Sequence, residues 1–332
     1  MTTSADARRE AVLRAWRAVL EAEPASEDEN FFDAGGNSIL AVAFQRRLGE
    51  ELGHRVTLKQ VHENATVAGL LGLDASRPGA DPAAPQAPAE ALTLYCLAYA
   101  GASARLYEPW RERLPAAVTL VPLELPGRGA RWTEPAIPRL EPLLADLAGT
   151  VERGPAGPYA VFGHSFGALL AYELAGYLVA RGRPAPRRLL VSACAAPHEA
   201  TPTETNHDLT DTEFVERLRR LRGTPEELLE NAELMELYLP TIRADYTILD
   251  HYRARPAEPL GCPVSAFHGA DDLEVGQAEM ARWASYGNGS IDLDAIPGDH
   301  FFLHDAEEEL VAAVARRLGP DLPRGRAALP HE

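Results

Sequence analysis

From residue 91 onward, six short apolar runs alternate with stretches of helical periodicity: LTLYCLAY, VTLVPLEL, YAVFGHS, RRLLVSA, PVSAFHG and IDLDAIP. Strands separated by helical segments, rather than by tight turns, return across a face of the sheet and so run in the same direction. Apolar residues that continue along a strand, instead of alternating with polar ones, are covered on both faces. The pattern therefore predicts an α/β fold with a mostly parallel sheet between helical layers. One interval breaks the rhythm. The 66 residues from Pro197 to Cys262 far exceed a simple crossover and contain the amphipathic segments FVERLRRL, from Phe214, and ELMELYLPTI, from Glu233. A helical insertion at the strand ends, over about 200–250, would act as a lid or substrate platform; surface decoration is the plainer alternative.

The alternation stops at a composition boundary. Residues Arg77 to Glu90 read RPGADPAAPQAPAE, with proline at 78, 82, 85 and 88 and no large apolar side chain. Such a stretch cannot pack a core and tends to extended polyproline conformations, so 76–90 reads as a linker. Ahead of it, Ala11, Val12, Ala15, Trp16, Val19 and Leu20 recur at helical spacing. A second helical pattern runs from Ser38 through Leu40, Phe44 and Leu48, and Val67 to Leu73 adds a short apolar helix. Residues 1–75 thus form a small helical bundle, 91–320 form the α/β domain, and 321–332 form a tail.

A formal charge of -17 opposes unaided binding to nucleic acid or to an anionic membrane, because either needs a basic face. The stretch Met1 to Glu10 is polar, so no secretory signal is visible, and no apolar run approaches the roughly 18 residues of a membrane span. A cytoplasmic location is expected. Cys96, Cys194 and Cys262 are odd in number and widely spaced, which suits buried free thiols; no disulfide framework or metal-ligand spacing is present.

Two serines stand in chemically suggestive places. Ser38 follows Asp33, Gly35, Gly36 and Asn37 at the start of an apolar-periodic helix. A phosphodiester there would sit beside the N–H groups and positive dipole end of a helix N-terminus, although on local physics an ordinary helix cap is the plainer use of Asn and Ser. Ser165 lies in Gly163-His164-Ser165-Phe166-Gly167, between the strand YAVF and the helical run ALLAYELAGYLV. That is the context of a nucleophile elbow.

A serine at neutral pH needs a general base, and this topology supplies it late in the chain, in the order Ser, acid, His. His300, in IPGDHFFLHD, fits that place; His304 is its neighbour but falls into the following helix, His164 adjoins Ser165 and should point elsewhere, and His268 reads as structural. The acid belongs after the strand AFHG, where Asp271 and Asp272 are consecutive. Neighbouring residues point differently, so only one can orient His300, and Asp272 is preferred. An acyl transfer also needs two backbone N–H groups facing the carbonyl oxygen. Phe166, next after the nucleophile, and Ala100, in AYAGASA, are the candidates.

The segment FFDAGGNSILAV resembles the phosphopantetheine-attachment motif of peptidyl carrier domains from nonribosomal peptide synthetases, with Ala34 in place of the usual leucine and Asn37 in place of His or Asp. The likeness runs over roughly residues 5 to 73 and includes VTLKQVHENATVAGL. It implies a four-helix carrier domain with 4'-phosphopantetheine covalently attached to Ser38. Residues 91 to about 318 resemble the thioesterases of nonribosomal peptide and polyketide assembly lines, particularly the type II group. The matching stretches are AYAGASARLYEPW, ELPGRGARW, GHSFGA, LTDTEFVERLRRLRGTPEELL, RADYTILDHY, GADD and PGDHFFL, with Ala102 where a second glycine is usual. That resemblance implies an α/β-hydrolase with the triad Ser165, Asp272 and His300. Together the two imply hydrolysis of an aminoacyl or peptidyl thioester from the Ser38 arm. They also imply a phosphopantetheinyl transferase and upstream adenylation, condensation or tailoring enzymes as partners. Macrocyclising release, editing of misprimed carriers in trans, and a mainly carrier or docking role are the alternatives.

Overall fold

The computed structural model describes residues 4–36, 38–53, 56, 58–71, 91–199, 206, 208–221, 223–224, 226–254 and 259–322. The expected linker over 76–90 and the expected tail beyond Leu322 lie outside the described residues, as do Asn37 and the side chain of Ser38. Two compact units are distinguished. One comprises Met1–Ala83, Gly129–Pro135 and Thr210–Pro240; the other comprises Ala84–Arg128, Ala136–Leu209 and Thr241–Glu332.

In the first unit, α1 (Ser4–Leu20), α2 (Ser38–Leu52), α3 (Leu58–Glu63) and α4 (Val67–Leu71) pack around an aromatic centre. The helical spacing read from the sequence turns Val12, Ala15 and Trp16 inward, where they are buried with Phe31, Phe44, Leu48, Val61, Val67 and Leu70. Phe31 stacks on Phe44 with centroids 4.6 Å apart, and Trp16 meets Phe31 edge-on at 5.5 Å. The edge-on contact sets the positive rim of one ring against the negative face of the other. His62, on α3, makes a second cluster with Phe32 and Trp132, each at 4.8 Å between centroids. Its Nε2 lies 2.5 Å from the hydroxyl of Tyr238.

The second unit is built on six parallel strands: β1 (Leu92–Leu97), β2 (Val118–Pro122), β3 (Tyr159–His164), β4 (Arg188–Ser192), β5 (Val264–Gly269) and β6 (Ile291–Ile296). Their order is β2-β1-β3-β4-β5-β6, and each pair is parallel. Each strand falls within the apolar run that predicted it. Side chains alternate between two cores, as the pleat requires. Tyr95, Leu97, Tyr159 and Val161 enter one core with α5 (Leu140–Arg153) and α6 (Phe166–Ala180). Leu94, Cys96, Ala160 and Phe162 enter the other with Tyr107, Trp110 and Val314.

The interval between β4 and β5 is helical, as its amphipathic segments predict, with α7 (Asp211–Leu221), α8 (Glu226–Leu229) and α9 (Ala232–His251). After β5 comes α10 (Gln277–Ala281), and after β6 come α11 (Phe302–Asp305) and α12 (Glu307–Leu318). Among the described residues no helix is long and apolar enough to cross a membrane. The three cysteines are free thiols; Cys96 and Cys262 are buried, and Cys194, just past β4, is partly exposed.

The strand order reverses beside β1, where β2 lies on one side and β3 on the other. In an open parallel sheet, ligands bind beyond the carboxyl ends of the strands at such a switch point. Leu97 at the end of β1 is in register with Gly163 near the end of β3, so the Ala100 loop and the Ser165 turn leave the sheet side by side.

Candidate active site

Ser165 occupies the turn from β3 to α6 with φ 53° and ψ -120°. A non-glycine residue in such a conformation is strained and persists only where its surroundings fix it. Two glycines make the turn possible. A Cβ at Gly163 would lie 2.0 Å from the carbonyl oxygen of Gly167, and a Cβ at Gly167 would lie 2.2 Å from that of Leu97. Strand and helix backbones touch at this point, and hydrogen alone fits between them. The Ser165 N–H is held by the carbonyl of Ser192, at 2.8 Å.

The three residues expected to converge do so. His300 Nε2 lies 3.2 Å from Ser165 Oγ, and His300 Nδ1 lies 2.9 Å from Asp272 Oδ2. The other oxygen of Asp272 accepts the N–H groups of Glu274 at 2.8 Å and Val275 at 3.1 Å. This separates the adjacent carboxylates: the Asp272 side chain is buried, whereas Asp271 is exposed on the turn. Burial pushes the Asp272 pKa up, but the hydrogen bond and charge of His300, joined by the two backbone N–H groups, hold it below the usual aspartate range.

The remaining histidines are placed away from Ser165 Oγ. His304 lies on α11 with Nε2 3.0 Å from the hydroxyl of Tyr99, and burial lowers its pKa. His268, one residue before the end of β5, has Nδ1 3.1 Å from the carbonyl of Gly269. His164 points away from Ser165 Oγ, as its adjacency predicts, and has specific partners. It is fully buried, with Nε2 3.0 Å from the backbone carbonyl of His300 and Nδ1 2.9 Å from Ser192 Oγ. A carbonyl only accepts, so Nε2 carries the proton and Nδ1 accepts from the serine hydroxyl. The residue before the nucleophile thus anchors the backbone of His300. No sequence spacing signals this, since the partners are 136 residues apart.

Burial, reinforced by the nearby His300, lowers the His164 pKa well below the ordinary histidine value. The unfolded chain therefore takes up a proton that the folded chain refuses. Stability is complete above about pH 6.5 and declines as pH falls below it, with a slope of up to about 1.4 kcal/mol per pH unit for one proton. His304 adds to the same decline. Urea unfolding at pH 7.5, 6.0 and 5.0 measures it, and His164→Gln, which keeps a donor for the His300 carbonyl, should flatten the dependence. An unchanged slope in that variant would remove His164 as its source.

The predicted oxyanion donors sit on the two loops that leave the sheet together. Among the described residues, neither the Ala100 nor the Phe166 N–H has an acceptor within the chain. The N–H of Gly101, by contrast, donates to Asp245 Oδ2 at 2.7 Å. Farther along the same loop, Glu124 accepts from Ser103 Oγ at 2.6 Å and from the Ala104 N–H at 3.1 Å.

The site thus couples a strained serine, an imidazole and a buried carboxylate, the geometry of a serine hydrolase. Residues 92–320 match the family profile of the thioesterase domain. The chain belongs to the thioesterase family. Its fold is the α/β-hydrolase fold expected from the sequence. Residues 10–73 match a second profile, the phosphopantetheine attachment site, so the thioesterase is accompanied by a helical carrier region that bears covalent 4'-phosphopantetheine.

A Brevibacillus parabrevis protein named linear gramicidin dehydrogenase LgrE is 39% identical over 238 residues, covering 70% of this chain and 90% of its own. The AMB antimetabolite synthetase AmbE of Pseudomonas aeruginosa is 33% identical over 316 residues, 91% of this chain and 15% of that protein. Among solved structures, RedJ, a thioesterase from the prodiginine biosynthetic pathway of Streptomyces coelicolor, is 39% identical, with a TM-score of 0.65 over 73% of this chain and 91% of its own. The chain is a carrier joined to a type II thioesterase of nonribosomal peptide and polyketide pathways, and it hydrolyses thioesters. A carrier of this kind works with a phosphopantetheinyl transferase and with other synthetase modules.

Proposed function

We propose that Ser38 is the attachment point of the arm and that Ser165, His300 and Asp272 hydrolyse the aminoacyl or short peptidyl thioester it presents. The continuous hydrogen-bond chain from Ser165 through His300 to Asp272 is the observation that carries the proposal. At Ser38 the fit is chemical. The residue opens α2, a helix of 15 residues with no acidic side chain in its first turn, so the positive end of the helix dipole meets a phosphodiester without a carboxylate beside it. The attached group supplies a terminal thiol on a long flexible arm.

In the reaction, His300 Nε2 takes the Ser165 proton as Oγ attacks the thioester carbonyl carbon. Asp272 keeps His300 in the tautomer with hydrogen on Nδ1 and stabilises the imidazolium that forms. The N–H groups of Ala100 and Phe166 receive the negative charge on the carbonyl oxygen, aided by the positive end of α6. His300 returns its proton toward the leaving thiolate as the C–S bond breaks, and Ser165 is left carrying the acyl group as an ester. His300 then deprotonates water, which attacks that ester; the acid departs and Ser165 recovers its proton.

The working division is a carrier over 1–75, a linker over 76–90 and a hydrolase over 91–320, with α7 to α9 as the substrate platform or lid. Upstream adenylation and condensation enzymes are the proposed source of the acyl group. The three free thiols suit a reducing cytoplasm. Acylating the arm and following free acid by mass spectrometry tests the proposal. The parent is expected to accept the arm and release acid, while Ser38→Ala accepts no arm. Arm attachment to Ser38→Ala at the parental level would sink the assignment. A second reading has support of its own. LgrE and RedJ are matched over 90% and 91% of their lengths by regions covering 70% and 73% of this chain, so thioesterases without a carrier portion of this size are its relatives. The hydrolase part would then also clear carriers other than its own, and cleavage of those would persist in Ser38→Ala.

A further inference from the structure

Two stretches recognised in the sequence, ELPGRGARW and RADYTILDHY, have no part in the triad, yet the structure ties them to the candidate oxyanion loop. Arg128, from the first, and Asp245, from the second, are 3% and 1% exposed. They form a two-pronged ion pair, with Nη1 2.6 Å from Oδ2 and Nη2 2.8 Å from Oδ1. Taking two charges out of water is costly, and a buried pair adds little net stability over an apolar pair of the same shape. The pair therefore invites an account other than stability. Oδ2 of Asp245 supplies one, because it also accepts the Gly101 N–H at 2.7 Å.

Gly101 has φ 81°, and a Cβ there would lie 2.9 Å from Cγ1 of Ile242, three residues before Asp245 on α9. The glycine is thus seated against α9 with its one donor committed to the carboxylate. Beyond it, Glu124 fixes Ser103 and Ala104. The preceding donor, that of Ala100, is left uncommitted between these anchors and the sheet.

We infer that Asp245, held in place by Arg128, is a positioning residue for thioester hydrolysis: by taking up the Gly101 N–H it fixes the turn that presents the Ala100 N–H to the reacting carbonyl oxygen. The inference rests on the proposed oxyanion role of Ala100. Arg128 has the matching task of aiming Asp245 by both oxygens, so that one oxygen serves the guanidinium and the loop together.

Replacing Asp245 alone would strand the Arg128 charge, so the decisive comparison removes both charges. Arg128→Met/Asp245→Asn retains an acceptor for the Gly101 N–H; Arg128→Met/Asp245→Leu does not. Turnover is measured on an acyl-pantetheine thioester and normalised to sites titrated by a fluorophosphonate, which counts only chains with a competent Ser165. The Leu variant is expected to lose roughly 10²-fold in kcat relative to the Asn variant, the scale of a misplacement near 1 Å, with KM and melting temperature alike in the two. Equal kcat per titrated site would overturn the positioning role, since a merely structural pair lowers the number of competent sites and leaves their rate alone.

A crystal structure of the parent chain phosphonylated on Ser165 decides the matter even if neither variant folds. The phosphonyl oxygen is expected on the Ala100 and Phe166 N–H groups, with Gly101 still on Asp245. An oxygen bound by the Gly101 N–H would overturn the inference while leaving the loop as the oxyanion site. An oxygen remote from residues 99–101 would instead overturn the underlying assignment of Ala100.

Discussion

Ser165→Ala reduces release of acid from the loaded carrier by at least roughly 10³-fold, to a rate set by water and the remaining donors. In the proposed mechanism the effect is large because Ser165 Oγ is the attacking atom, and among the described histidines only His300 lies against it. The folded state should change little. Residue 165 sits at φ 53° whichever small side chain it carries, and the turn is fixed by Gly163, Gly167 and the Ser192 carbonyl. Melting temperatures within a few degrees of the parent are expected, so lost turnover reads as lost chemistry. Intact-mass analysis of the acylated chain over time supplies the measurement. Acid appearing as fast as from the parent would mean that another nucleophile, or water alone, does the work.

The second large effect separates two neighbouring carboxylates. Asp272→Asn is expected to lower kcat by about 10⁴-fold near neutral pH, because an amide can offer its NH₂ group to His300 and so favour the tautomer with hydrogen on the wrong nitrogen. It also weakens the two backbone hydrogen bonds that aim the group, from Glu274 and Val275. Asp271→Asn should stay within about threefold of the parent, since an exposed turn residue has no part in the relay and surface changes have small effects. Steady-state kinetics of the pair, matched for folding by circular dichroism, decides between them. A larger loss from Asp271→Asn would transfer the acid role to the first aspartate.

Much of this arrangement is legible in the order of the amino acids. The four central strands announce themselves as largely apolar runs, because a strand covered on both faces is buried along its length. By contrast β6, at the sheet edge and only partly buried, alternates Ile291, Asp292, Leu293 and Asp294. Ser165 and His300 are found through local context, one between strand and helix and the other between the last strand and the helices that follow. The Asp271/Asp272 ambiguity yields only to the three-dimensional arrangement, since adjacent residues share their sequence context and differ in direction. Asp245 and Arg128 belong to recognisable stretches, but their partnership spans 117 residues, and no periodicity links positions so distant. His164 hides for a related reason: its target is a backbone carbonyl, which every residue possesses. The grouping of Thr210–Pro240 with the carrier region in one compact unit leaves no trace in the sequence either, because amphipathic helices announce that they bury a face without naming what covers it.

The contact between the β3 and α6 backbones at Gly163 and Gly167 also bears on how such an enzyme can be altered. With main chain against main chain, the height of Ser165 above the sheet is set by the closest approach of backbone atoms rather than by side-chain choice, so it survives wide changes elsewhere. Efforts to retune acyl selectivity would therefore do best to vary the surrounding loops and leave this joint untouched. A library that randomises 163 or 167 would return chiefly chains unable to close the turn.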